Sequence, residues 1–238
     1  LYYLGNSYRD AGYWTKAIEF HKRAFEIEPF YFANAYNLAG DYWTLGKPEE
    51  VNRYADKAIT LDPQNFLGFL MKSYGLVNSR DESEALAYLA KAIAAEPNHV
   101  DTYGSRSEVY KQFGRFEEAQ KDIQYLMGKD PYSLTGIASA LPFYINIGKI
   151  REAERIVETS LHRPILPLAQ GIEYKALLLL SKGMIKREQG KNKESDAAFD
   201  EAREALEQRL LDFPDSAPLL SMHGVILSCL GKHNEAVA

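Results

Sequence analysis

Apolar and aromatic residues recur along this chain at positions i, i+3 and i+7, in blocks that return every 34 residues. The blocks read Leu1, Leu4 and Tyr8, then Ala35, Leu38 and Tyr42, then Phe69, Lys72 and Leu76, then Tyr103, Arg106 and Tyr110, then Ile137, Ala140 and Tyr144. This spacing puts each block on one face of a helix. Gly12, Gly46, Gly114 and Gly148 follow, with Arg80 at that place in the third copy. A glycine there can take the left-handed conformation and turn the chain. A second helical stretch begins with a small residue (Ala17, Val51, Ala85, Ala119, Ala153), and Ala24, Ala58, Ala92, Leu126 and Ser160 come later in it. It closes at Pro29, Pro63, Pro97 and Pro131, each preceded by an acidic residue. Proline cannot continue a helix. The pattern therefore predicts antiparallel helix pairs, one per period, stacked as a solenoid.

The period breaks after the fifth copy. Residues 162–171 contain Pro164 and Pro167 and read as an irregular connector. A longer pair is expected next, with helices over about 172–189 and 192–212, ending before Pro214. This unit is either one repeat carrying an insertion or a junction between two stacked segments. A partial unit starts at Ala217 and carries Leu220, His223, Gly224, Leu227 and Gly231. The chain opens on Leu1 inside a helical pattern and ends early in a helix, so a fragment of a longer solenoid is expected.

The run Leu4, Gly5, Tyr8, Gly12, Ala17, Ala24, Pro29, repeated at the same offsets, resembles the tetratricopeptide repeat family. The resemblance covers residues 1–161 cleanly and the rest with distortion. It implies an all-α, right-handed superhelical solenoid. Five regular repeats would fill 1–161, the first cut at its N-terminus, with a connector over 162–171, an elongated sixth repeat over 172–216 and a partial seventh over 217–238. The lengthened unit, with Phe213 to Pro218 and the turn Leu230-Gly231-Lys232, is similar to repeat regions of large bacterial sensory and regulatory proteins.

Composition narrows the function. A net charge of −5 argues against a nucleic-acid backbone as main partner. The single Cys229 leaves no internal disulfide and no multi-cysteine metal site, and it fits a reducing compartment such as the cytoplasm. No apolar run approaches the ~18 residues of a membrane span, and the start does not read as a signal peptide. The histidines at 21, 99, 162, 223 and 233 are scattered and are expected at surfaces or turns. Glu49-Glu50 and Glu117-Glu118 open second helices, where they complement the helix dipole. No catalytic, cofactor or metal constellation is expected, and the chain does not read as an enzyme.

The resemblance implies a concave groove lined by the first helices. Its places fall at Tyr2, Tyr3, Asn6 and Arg9; Tyr36, Asn37, Gly40 and Trp43; Leu70, Met71, Tyr74 and Val77; and Asp101, Ser105, Glu108 and Lys111. Relatives that clamp a terminal carboxylate use Lys, Asn and Arg there. Asn6 and Asn37 match, but Tyr2, Leu67 and Met71 replace the basic residues, so no such clamp is expected. An aromatic groove with amides suits a protein or peptide partner, rings giving contact area and amides binding its backbone. The site expected from sequence is thus Tyr2, Tyr3, Asn6, Arg9, Tyr36, Asn37, Trp43, Leu70, Met71 and Tyr74. Two other roles fit the same chain. One is self-association as a homodimer through open ends or the sixth repeat, where Leu177–Leu180 is apolar. The other is ligand sensing on behalf of a fused effector domain.

Overall fold

The structure is a computed structural model that describes residues 1–78, 81–162, 168–212 and 217–236. The described residues form helices and turns and no strand. Two compact units are present, 1–129 and 130–238. The first holds α1 (Tyr2–Asp10), α2 (Trp14–Ile27), α3 (Phe32–Thr44), α4 (Pro48–Leu61), α5 (Phe66–Asn78), α6 (Glu82–Ala95), α7 (Val100–Gln112) and α8 (Phe116–Lys129). The second holds α9 (Leu134–Asn146), α10 (Ile150–Leu161), α11 (Leu168–Glu188), α12 (Asn192–Asp212), α13 (Ala217–Cys229) and α14 (His233–Ala236). Each unit is a stack of helix pairs, and the fifth 34-residue copy, α9 with α10, belongs to the second unit.

Local chemistry explains the joints. Gly46 has φ 64° and Gly114 φ 75°, the left-handed region that side chains avoid. The next residue then donates back to the end of the first helix: Tyr13 N to Tyr8 O at 2.8 Å, Lys47 N to Tyr42 O at 3.0 Å and Arg115 N to Tyr110 O at 2.8 Å. This closes the orphan carbonyls of each first helix. The corresponding place in the third copy, Arg80, lies outside the described residues. The acidic residues before the prolines also acquire a reason. Asp62 Oδ1 accepts from Gln64 N at 3.3 Å, and Asp130 Oδ1 from Tyr132 N at 2.9 Å, so the aspartates bridge the proline turn.

α11 starts at Leu168, inside the stretch read as connector, and residues 163–167 lie outside the described ones. A proline just ahead of a helix does not oppose it, because the first-turn N–H groups lack partners in any case.

Small residues at the start of second helices are fully buried: Ala17, Ala85 and Ala119 have no exposed surface. Lys72 and Arg106, which break the apolar face, are neutralised. Lys72 Nζ donates to Asp56 at 2.8 Å, and the Arg106 fork grips both oxygens of Asp122 at 2.8 and 2.7 Å. Such charge-assisted bonds let a cation lie among apolar neighbours. Ala17→Leu or Ala119→Leu is expected to cost roughly 1–3 kcal/mol through overpacking, read as a lower urea midpoint at unchanged helical content.

Candidate functional site

Within the first unit, α3 touches α5 and α5 touches α7, whereas α2, α4, α6 and α8 make no comparable contacts with one another among the described residues. The first helices are therefore the inner side of this stack, and the second helices splay outward. The candidate site is the strip that α1, α3, α5 and α7 present on that inner side.

At one end the strip is polar and tightly knit. Arg9 Nη2 donates to Asn6 Oδ1 at 2.7 Å and its Nη1 to Asn37 Oδ1 at 3.1 Å. Asn37 Nδ2 donates to Asn6 Oδ1 at 3.2 Å, so α1 and α3 are laced together. Beneath them His21 Nδ1 lies 2.5 Å from Asp41 Oδ2, and its Nε2 lies 3.2 Å from Asn6 Oδ1. Arg9 Nη1 stands 3.7 Å from the other Asp41 oxygen. His21 and Asp41 are both 0% exposed. The expectation that the histidines lie at surfaces or turns is thus wrong for His21. The signal was present in the repeat: the equivalent places hold Ala55, Leu89, Ile123 and Val157, all core residues. The α1 backbone comes close to the His21 ring at Gly5, where a Cβ would collide with it.

Further along, the strip is aromatic. Trp43 stacks on Tyr74 with centroids 5.0 Å apart at 25°, and Trp43 remains 46% exposed. The Tyr74 hydroxyl shares a 2.7 Å hydrogen bond with Ser105, whose hydroxyl donates to Asp101 O at 2.8 Å. Burial raises the pKa of Tyr74, the Ser105 bond lowers it, and the Asp101 charge raises it again. Burial also raises that of Tyr36, with Arg9 opposing and Asp101 reinforcing. At the outer edge Tyr2 makes edge contacts with Tyr3 and Tyr31, centroids 5.2 and 5.9 Å away. These rings, with Ile27, Pro29 and Phe30, border an open hollow of about 610 Å³.

Of the residues expected from sequence, Asn6, Arg9 and Asn37 come together in one network, Trp43 joins Tyr74, and Tyr2 joins Tyr3. Leu70 and Met71 do not line the strip. They are 4% and 6% exposed and belong to the core that Leu38, Tyr42 and Leu89 also build. The reason is that α5 is packed between α4 and α6, whose Val51, Tyr54, Ala85 and Leu89 share this core. Asn37 is also buried, and its amide serves the Arg9–Asn6 network rather than an incoming backbone.

In the second unit a hollow of about 220 Å³ is lined by Val157, Leu161, Ile185, Glu154 and Lys186. Glu154 there accepts from Lys186 at 2.9 Å and from Gln189 at 3.0 Å, which closes its polar wall on itself. Among the described residues no group of His, Cys, Asp or Glu is placed to hold a metal ion, and no helix is long and apolar enough to cross a membrane.

No protein-family model matches the sequence, and no curated protein matches it. Solved structures do match. The chain is similar to TTC0263, a TPR protein of Thermus thermophilus, at 19% identity and a TM-score of 0.65, over 75% of this chain and 97% of that one. It is similar to PilW, a type IV pilus biogenesis factor, at 16% identity and a TM-score of 0.65, over 92% of this chain and 94% of that one. It is also similar to a chain of the APC/C hetero-tetramer Cut9–Hcn1, at 16% identity and a TM-score of 0.64; this chain is covered over 98% and spans 44% of that one. The likenesses carry the fold, an all-α stack of tetratricopeptide-type helix pairs.

Proposed function

We propose that this chain, built of tetratricopeptide-type helix pairs, is a non-catalytic scaffold that binds a protein or peptide along the inner strip of α1, α3, α5 and α7. The observation that carries the reading is Trp43. It lies outside the core, nearly half exposed, with one ring face braced by Tyr74. A large aromatic held rigid at a surface gives contact area at small entropic cost, which is the character of a binding anchor. The likenesses agree with the reading at the level of fold, since the Cut9–Hcn1 structure is of a protein assembly. The acid–base pair beneath the strip, His21 with Asp41, has no exposed surface and so no reach to a substrate.

The test is capture of a partner by the chain, by Trp43→Ala and by Glu84→Ala on the outer face of α6. Trp43→Ala is expected to lose the partner while losing only about 0.5–1.5 kcal/mol of stability, the worth of one aromatic pair. Equal capture by all three proteins would remove the inner strip as the binding face.

A second reading is self-association, favoured by the exposed aromatic edge beside α1. Phe30 is 87% and Tyr3 81% exposed, and Ile27 stands next to them. A contiguous apolar patch of this kind is costly to leave in water. Sedimentation equilibrium would detect a dimer that Phe30→Ser dissolves; a monomer at all concentrations would exclude it.

A further inference from the structure

We propose that the exposed face of Trp43 seats an arginine side chain of the partner, in an extended segment whose backbone crosses α3 at Gly40. The inference rests on the inner-strip reading above and names the chemistry that the strip recognises.

Gly40 lies in the middle of α3, one turn before Trp43. Glycine inside a helix costs about 1 kcal/mol relative to alanine. Gly5, Gly75 and Gly183 have a packing reason, because a Cβ at each would collide with a neighbouring side chain. Gly40 has none: a Cβ there meets nothing within 4 Å. The bare backbone at Gly40 thus faces open space, which leaves another main chain free to approach it. Along α3 the position lies one turn after the half-buried Tyr36 and just before Trp43, which stacks on Tyr74.

Charge decides which side chain fits beside it. Arg9 is engaged by Asn6, Asn37 and Asp41. On the other side of the stack α7 contributes Asp101, which is exposed and lies one turn before Ser105, the hydrogen-bond partner of Tyr74. One turn beyond Ser105 it contributes Glu108, which is 66% exposed and shares its charge with Lys111. A cation over Trp43 meets the negative face of the indole with the Asp101 carboxylate on the neighbouring α7, Glu108 being neutralised by Lys111, while an anion is disfavoured by the indole face. Arginine suits the place better than lysine, since its planar guanidinium stacks on an indole and is less strongly hydrated.

The experiment is selection of random-sequence peptides, displayed on phage, on the intact chain and on Gly40→Leu. Leucine at position 40 fills the open space there and raises helix propensity, so the variant keeps its melting temperature, which is measured alongside. Peptides retained by the chain and lost on Gly40→Leu are expected to be enriched in arginine. The best of them should weaken about two- to fivefold on Asp101→Asn, on Trp43→Leu and with rising salt, the range of one exposed cation–π contact. Peptides lost on Gly40→Leu that carry no basic preference would overturn the arginine seat and leave the inner-strip reading intact. Selected peptides that bind Gly40→Leu equally well, or no selected peptides at all, would overturn both.

Discussion

Asp41→Ala is expected to lower the unfolding free energy by about 1–3 kcal/mol, the cost of leaving a buried polar group without its hydrogen-bond partner. Asp41 has no exposed surface, and one of its oxygens is 2.5 Å from His21 Nδ1. Its removal leaves the buried imidazole without that partner and Arg9 without its nearest carboxylate. Water cannot replace them cheaply, because the Asn6–Arg9–Asn37 layer covers the site. The pair is not needed for the fold as such. Other copies place Leu89 and Ile123 where His21 stands, and Val109 and Phe143 where Asp41 stands, and all are core residues. His21→Leu combined with Asp41→Val should therefore cost much less than the sum of the single changes, since an apolar replacement removes both desolvation penalties. Urea denaturation followed by circular dichroism reads the effect. A loss below about 1 kcal/mol for Asp41→Ala would mean that the pair is dispensable.

Phe199→Ala in the second unit is expected to cost about 3–5 kcal/mol through loss of apolar burial and the cavity left behind. The Phe199 ring is fully buried with Leu179, Ala202, Leu206 and Ile226, and the Arg187 guanidinium lies 4.7 Å from its centroid. α11 approaches α12 closely at this point because residue 183 is glycine. A Cβ there would overlap the ring, and a ring cannot yield as a flexible chain end would. Gly183→Ala should thus lose about 1–3 kcal/mol by overpacking despite alanine's better helix propensity. Adding Phe199→Leu to Gly183→Ala should recover part of that loss, because the collision partner is shortened. A Gly183→Ala chain more stable than the parent would refute the close approach.

The same kind of contact marks the limit of sequence reading. Gly5 against His21 and Gly183 against Phe199 are pairs 16 residues apart, on different helices. A list of glycines shows neither. The comparison of repeat columns could have exposed His21, because a polar residue at an apolar place must find a partner. It could not have named Asp41 as that partner, since Asp41 belongs to the next repeat and also replaces an apolar residue there. Leu70 and Met71 illustrate the opposite error. Leu70 shares its register with the half-buried Tyr36 of the preceding copy, yet it and Met71 are buried in the core.

The sequence by itself determined the helix pairs, their 34-residue period and the turns between them. These depend on chemistry within a few residues: the 3.6-residue stripe, glycine's access to positive φ, and proline's missing N–H. Tertiary structure alone decided that His21 and Asp41 meet directly, that Trp43 braces on Tyr74, and that the fifth copy joins the second unit. Those outcomes depend on which faces of neighbouring helices are pressed together. A one-dimensional pattern records that a face is apolar, but the side chain opposite it is set by packing between helices.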